Sequence, residues 1–146
     1  MAEPAPRRPG ASFYADPVAW LVVDAVGAAL RDADVREAAT ETGVLSVSRE
    51  ATKRTMLQLA AAGGRVSPMK FAGASAGSIT GVACIEFGLQ GPSMVLSMSP
   101  SDGRPVAQVI AKSWLAAGTC RFVVLNEHES LDSGHVVHSS VVDLAA

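Results

Sequence analysis

At 146 residues the chain has room for one domain with a real core and not for two. Hydrophobic residues make up 49% of it and charged ones 18%, a balance that excludes an intrinsically disordered chain. A net charge of −2 argues against a nucleic-acid role, which needs a concentrated basic surface, and no apolar run is long enough to span a bilayer.

Residues 1 to about 12, rich in Pro, Ala and Arg, read as a flexible lead-in to a domain over 13–146. Arg7-Arg8 precedes no apolar core, so no signal peptide is expected and the protein is assigned to the cytoplasm. Asp16-Pro17 predicts a helix start, with an N-cap acceptor followed by a residue that needs no N–H partner. Val18, Leu21, Val22, Ala25 and Ala29 follow at helical spacing, and the helix should end near Asp34. Gly43 precedes a short buried strand, Val44 to Val47. A second helix is predicted over Ala51 to Ala61, closed by Gly63-Gly64, and residues 65 to 73 read as a loop.

Ser75 to Phe87 is apolar and rich in small residues, which predicts a buried helix with Ile79, Val82 and Ile85 along one side. Met94 to Met98 is a strand. Ser99 to Pro105 holds two prolines and a glycine and reads as a rigid irregular loop, followed by a helix over Pro105 to Ala117 with Gly118 as its stop. Arg121 to Leu125 is a strand, and His135 to Val142 closes the domain after a Ser133-Gly134 turn. Alternating strands and helices imply an α/β layer fold with a largely parallel sheet. No strand is found before Asp16, so four core strands are expected.

Between Phe71 and Glu129 several motifs stand in fixed register. Ser67-Pro68 with Phe71 makes a Ser-Pro-x-x-Phe pattern, and Thr80-Gly81 follows. Gly91-Pro92-Ser93 leads into Met94-Val95-Leu96-Ser97-Met98. Ala107, Ile110 and Gly118 keep a helix-then-glycine spacing, and Phe122-Val123-Val124-Leu125 precedes Glu129. Over roughly 16–142 the chain resembles the N-terminal half of a β-ketoacyl synthase, a member of the thiolase superfamily. It departs from that pattern at Thr80, where Ala is usual, at Gly77, where Asn is usual, and at Asn126, Glu127 and His128, where two glycines usually precede the glutamate.

The resemblance implies a single thiolase-like half: a mostly parallel sheet of about four or five strands, helices on both faces and the last strand antiparallel. It also implies a nucleophilic cysteine seven residues after the serine of Gly-Pro-Ser. Seven residues after Ser93 stands Pro100, whose ring has no thiol, hydroxyl or ionisable proton and cannot attack a thioester. The family's two catalytic histidines belong to a second half, so His128, His135 and His138 do not correspond to them. No catalytic residue is therefore expected, and the chain is similar to chain-length-factor-type homologues that lack the cysteine.

Other chemistries are weaker readings. Ser99, Ser101 and Asp102 could supply a nucleophile and an acid, but these residue types are those that cap helices. Gly73-Ala74-Ser75-Ala76-Gly77 has the letters of a nucleophile elbow without the strand that should precede it. Glu127, His128, Glu129, His135 and His138 suggest a metal cluster, yet His135 and His138 are three apart and point to opposite faces of a strand. No metal and no cofactor are expected. Cys84 and Cys120 read as reduced core thiols, and nine arginines against three lysines in an alanine-rich chain suggest a GC-rich bacterial genome.

These features point to a non-catalytic accessory subunit of a polyketide or fatty-acid system, acting through a ketosynthase, a chain length factor or an acyl carrier protein. The alternative is an enzyme with altered chemistry on carrier-bound acyl chains, which fold alone does not separate. The absence of a recognisable nucleophile–base spacing favours the first. Met94, Val95, Leu96, Ser97 and Met98 are expected to form a sheet edge that is covered by a ketosynthase-type partner or by a second copy in a homodimer.

Overall fold

The computed structural model describes residues 15–145, and the lead-in expected over 1 to 12 lies outside them. Helix α1, Pro17–Asp32, starts where Asp16 Oδ1 accepts the Val18 N–H at 2.8 Å. A 3₁₀ segment, Arg36–Glu41, leads into strand β1, Thr42–Ser48, in which every residue is buried. Helices α2 (Lys53–Ala62), α3 (Pro68–Ala74) and α4 (Ser78–Phe87) follow. Strand β2 is Ser93–Leu96, helix α5 Pro100–Ala116, and strands β3 and β4 are Phe122–Leu131 and Gly134–Val142.

The four strands form one sheet in the order β2-β1-β3-β4. β1 runs parallel to both neighbours, pairing Val44 with Ser93 on one side and with Val124 on the other. β4 turns back antiparallel, from Leu131↔Gly134 to Val123↔Val142. Side chains alternate across this sheet, which sorts the core into two layers. Val44 and Val124 pack with Val22, Val26, Ile79 and Ala83 of α1 and α4 on one face. Leu45, Val47 and Val123 pack with Ala107, Ala111 and Leu115 of α5 on the other. The result is the expected α/β fold with helices on both faces of a mostly parallel, four-stranded sheet.

Local boundaries differ from expectation where caps outweigh composition. Residues 65 to 73, expected as a loop, contain most of α3, because Ser67 Oγ accepts the Lys70 N–H at 3.1 Å and Pro68 occupies the first turn. The buried helix expected from Ser75 begins at Ser78, and Ile85 faces outward with 78% exposure. The irregular loop expected over 99 to 105 is instead the start of α5. Ser99 caps it, Pro100 fills the first helical position, and Pro105 lies within the helix. Pro105 withholds only the N–H that would bond Ser101, a residue exposed to water. β3 continues six residues past Leu125, because antiparallel pairing with β4 supplies hydrogen bonds that its polar residues alone do not announce.

Candidate functional site

The turn from β2 into α5 is the position to which the resemblance assigns the nucleophile. Pro100 is buried there, at the first position of α5. Ser99 Oγ lies 3.3 Å from the Asp102 N–H and 3.3 Å from Ser101 Oγ, so its hydroxyl serves the helix end. Gly103 brings the first turn of α5 against the sheet: a Cβ there would stand 2.4 Å from Val47 Cγ1 and 3.0 Å from Met98 Cγ. The next residue, Arg104, grips Glu127 of β3 with two hydrogen bonds, Nε to Oε1 at 2.6 Å and Nη2 to Oε2 at 2.7 Å. The guanidinium holds the Glu127 carboxyl below the usual carboxylate range.

A polar row crosses the opposite face of the sheet. Thr80 Oγ1 donates to Ser46 Oγ at 2.7 Å, Asn126 Nδ2 donates to the same oxygen at 3.0 Å, and Ser139 Oγ donates to Asn126 Oδ1. One register step further, Ser48 Oγ meets His128 Nδ1 at 2.7 Å, and His128 Nε2 meets His135 Nδ1 at 3.0 Å. This set was not anticipated. Its signal is the alternation of Ser46 with Ser48 and of Asn126 with His128, which β1–β3 pairing brings side by side as Ser46↔Asn126 and Ser48↔His128. A serine against an imidazole resembles a nucleophile–base pair, but Ser48 is fully buried and its oxygen already accepts the Ala51 N–H at 2.7 Å.

The remaining candidates separate. His138 pairs with Glu127 across β3–β4, on the α5 face, away from His128 and His135. Among the described residues no group of three or more His, Cys, Asp or Glu side chains is placed to hold a metal ion. The Gly73 to Gly77 stretch joins α3 to α4 with no strand before it, and Ser75 Oγ donates to the Ala72 carbonyl at 2.9 Å. Burial pushes the Cys84 and Cys120 thiols up, away from the thiolate form that reacts.

β2 is an edge of the described sheet, as expected, but it spans Ser93–Leu96, and Ser97 and Met98 lie beyond it. Met94 is 40% exposed, while Val95 and Leu96 lean onto the two core layers. Two grooves lie open as well, only the first of them almost wholly apolar. A groove of about 470 Å³ between α2 and α3 is lined by Met56, Leu59, Val66 and Phe71, the last 67% exposed. A second groove, of about 700 Å³, runs between α5 and β4. No helix among the described residues is long and apolar enough to cross a membrane.

The sequence profile described as Beta-ketoacyl synthase, N-terminal domain, matches residues 9–125. No curated protein matches the chain. Solved structures share its fold at low identity. The ishigamide ketosynthase/chain length factor superposes with a TM-score of 0.66 at 20% identity, over 84% of this chain and 37% of that one. The ketosynthase (ApeO) in complex with its chain length factor (ApeC) from Xenorhabdus doucetiae gives 0.67 at 19%, over 88% of this chain and 58% of that one. A β-ketoacyl synthase from Burkholderia phymatum STM815 gives 0.67 at 18%, over 90% of this chain and 34% of that one. The chain thus spans between about a third and three-fifths of the length of these structures.

Proposed function

Since the chain belongs to the β-ketoacyl synthase family, through its N-terminal domain, we propose that it is a non-catalytic accessory subunit of a polyketide or fatty-acid biosynthetic system. The carrying observation is Pro100 at the strand-to-helix turn, read with the family resemblance that assigns the nucleophile to that position. A helix N-terminus activates a thiol by stabilising its anion. At Pro100 there is no such group to activate, the neighbouring Ser99 hydroxyl is committed to capping, and both cysteines are held protonated.

The subunit acts in the cytoplasm through association with a ketosynthase, a chain length factor or an acyl carrier protein. The edge strand β2 and the open apolar surface of α2 and α3 support this reading, because both are unfavourable in water and are usually covered. Two of the similar structures are themselves ketosynthases with chain length factors, which supports a ketosynthase-type partner over an unrelated one.

The test is intact-protein mass spectrometry after incubation with acyl and malonyl thioesters. No covalent adduct is expected, and Pro100→Cys is expected to restore no condensing activity. An acyl adduct on Cys84, Cys120 or any serine would instead favour an enzyme with altered chemistry.

A further inference from the structure

The groove between α2 and α3 has almost no polar wall, and the charges carried by this part of the chain are of one sign. Residues 51–85 hold Lys53, Arg54, Arg65 and Lys70 and no Asp or Glu, which makes the segment +4 in a chain of −2. Helical spacing sets Lys53 one turn from Met56 and Lys70 one turn from Ala74, and Arg65 directly precedes Val66; Met56, Ala74 and Val66 all line the groove. Lys53 stands 3.9 Å from Glu50, but the pair is exposed and weak. Met56, Val66, Met69 and Phe71 are apolar and exposed, and α2 buries no residue. The walls are nevertheless fixed at their base. The Thr52 hydroxyl donates to the Ala74 carbonyl and the Thr55 hydroxyl to Asp16, which ties the start of α2 to the end of α3 and to the cap of α1.

We propose that this groove docks an amphipathic helix of a partner protein, whose apolar stripe fills the groove and whose flanking carboxylates face Arg65, Lys70 and Lys53. A recess between two helices matches a helix laid into it, whereas a bilayer reaches only a face that projects. A second copy of the chain would bring the same positive charge to the contact. Residues 1–14 carry Arg7 and Arg8 against Glu3, so the chain's own lead-in does not supply the acid either. That a partner exists rests on the accessory role proposed above; its chemistry and its seat rest on the groove alone.

The probe is a designed helical peptide of about eighteen residues, with Leu at i, i+3 and i+4 spacing and Glu on both flanks. It is titrated into the whole chain while backbone amide shifts are followed by NMR. The shifts are expected to map to α2 and α3. Binding should weaken at least about tenfold in Phe71→Ala and in the double variant Arg65→Glu/Lys70→Glu. All three residues are exposed, so both variants should keep native circular dichroism. The charge-reversed variant should in turn prefer a version of the peptide flanked by Lys. Shifts confined to other elements overturn the proposal, as does an absence of binding or equal binding of the Glu and Lys peptides. Tighter binding to phosphatidylglycerol vesicles than to the peptide also overturns it. A complex with a ketosynthase-type partner that survives these substitutions removes this seat and keeps the accessory role. An acyl adduct on the chain removes the accessory role and leaves the peptide result standing.

Discussion

Gly81 and Gly103 both lie inside helices, and each would gain the same helical propensity from a methyl group, yet they should respond in opposite senses. Nothing stands within 4 Å of a Cβ built on Gly81, so Gly81→Ala is expected to stabilise the fold by about 0.5–1 kcal/mol. At Gly103 the new atom would meet Val47, which is fixed in the core, and Met98. Gly103→Ala should cost about 1–3 kcal/mol as an overpacked contact, and urea unfolding of the pair measures the difference. His128 makes a second prediction at this scale. Its pKa is lowered in the folded state, so the unfolded chain, with a histidine titrating near about 6.5, takes up the proton first. Stability is then fully present above that pH and falls as the pH drops through the folded value. Unfolding midpoints that stay constant from neutral to mildly acid pH would contradict this.

Among the elements, β2 has four residues and one sheet neighbour, whereas β1 has seven residues and two. Met94→Lys changes a side chain of the edge strand that is 40% exposed, whereas Val95 leans on the α1–α4 layer and is left in place. It is expected to abolish assembly with a ketosynthase-type partner, or with a second copy, while circular dichroism stays native. Light scattering that shows the complex unchanged would place the contact elsewhere. The same elements explain what was legible in the sequence. The Asp16-Pro17 cap and the apolar spacing after it announced α1, and the Val-rich runs announced the β1 and β3 centres. α3 was hidden because Gly73, Ala74 and Phe71 carry no helical periodicity, and only the Ser67 cap marks its start. The Ser46, Asn126 and His128 row was hidden for a different reason: each is an ordinary polar residue until pairing between strands about eighty residues apart sets them in contact.

Across the whole molecule, charge is unevenly spread. Residues 49 to 70 carry Arg49, Lys53, Arg54, Arg65 and Lys70 against the single acid Glu50, a net +4 in a chain of −2, which leaves −6 for the rest. All five basic side chains are exposed, and Lys53, Arg54, Arg65 and Lys70 lie on α2, on α3 or on the segment between them. Two copies that met through these two helices would set like charges against each other, which favours the β2 edge as the contact in any homodimer. The strand order has a further result, for the chain as it is made. β1 is buried along its whole length, but its neighbours arrive late: Ser93 is 49 positions beyond Val44 and Val124 is 80 beyond it. Only β3 and β4 meet through a local hairpin. Until those distant segments leave the ribosome, a strand that ends fully buried has no sheet to join, and Val44, Leu45 and Val47 lack the neighbours that will cover them.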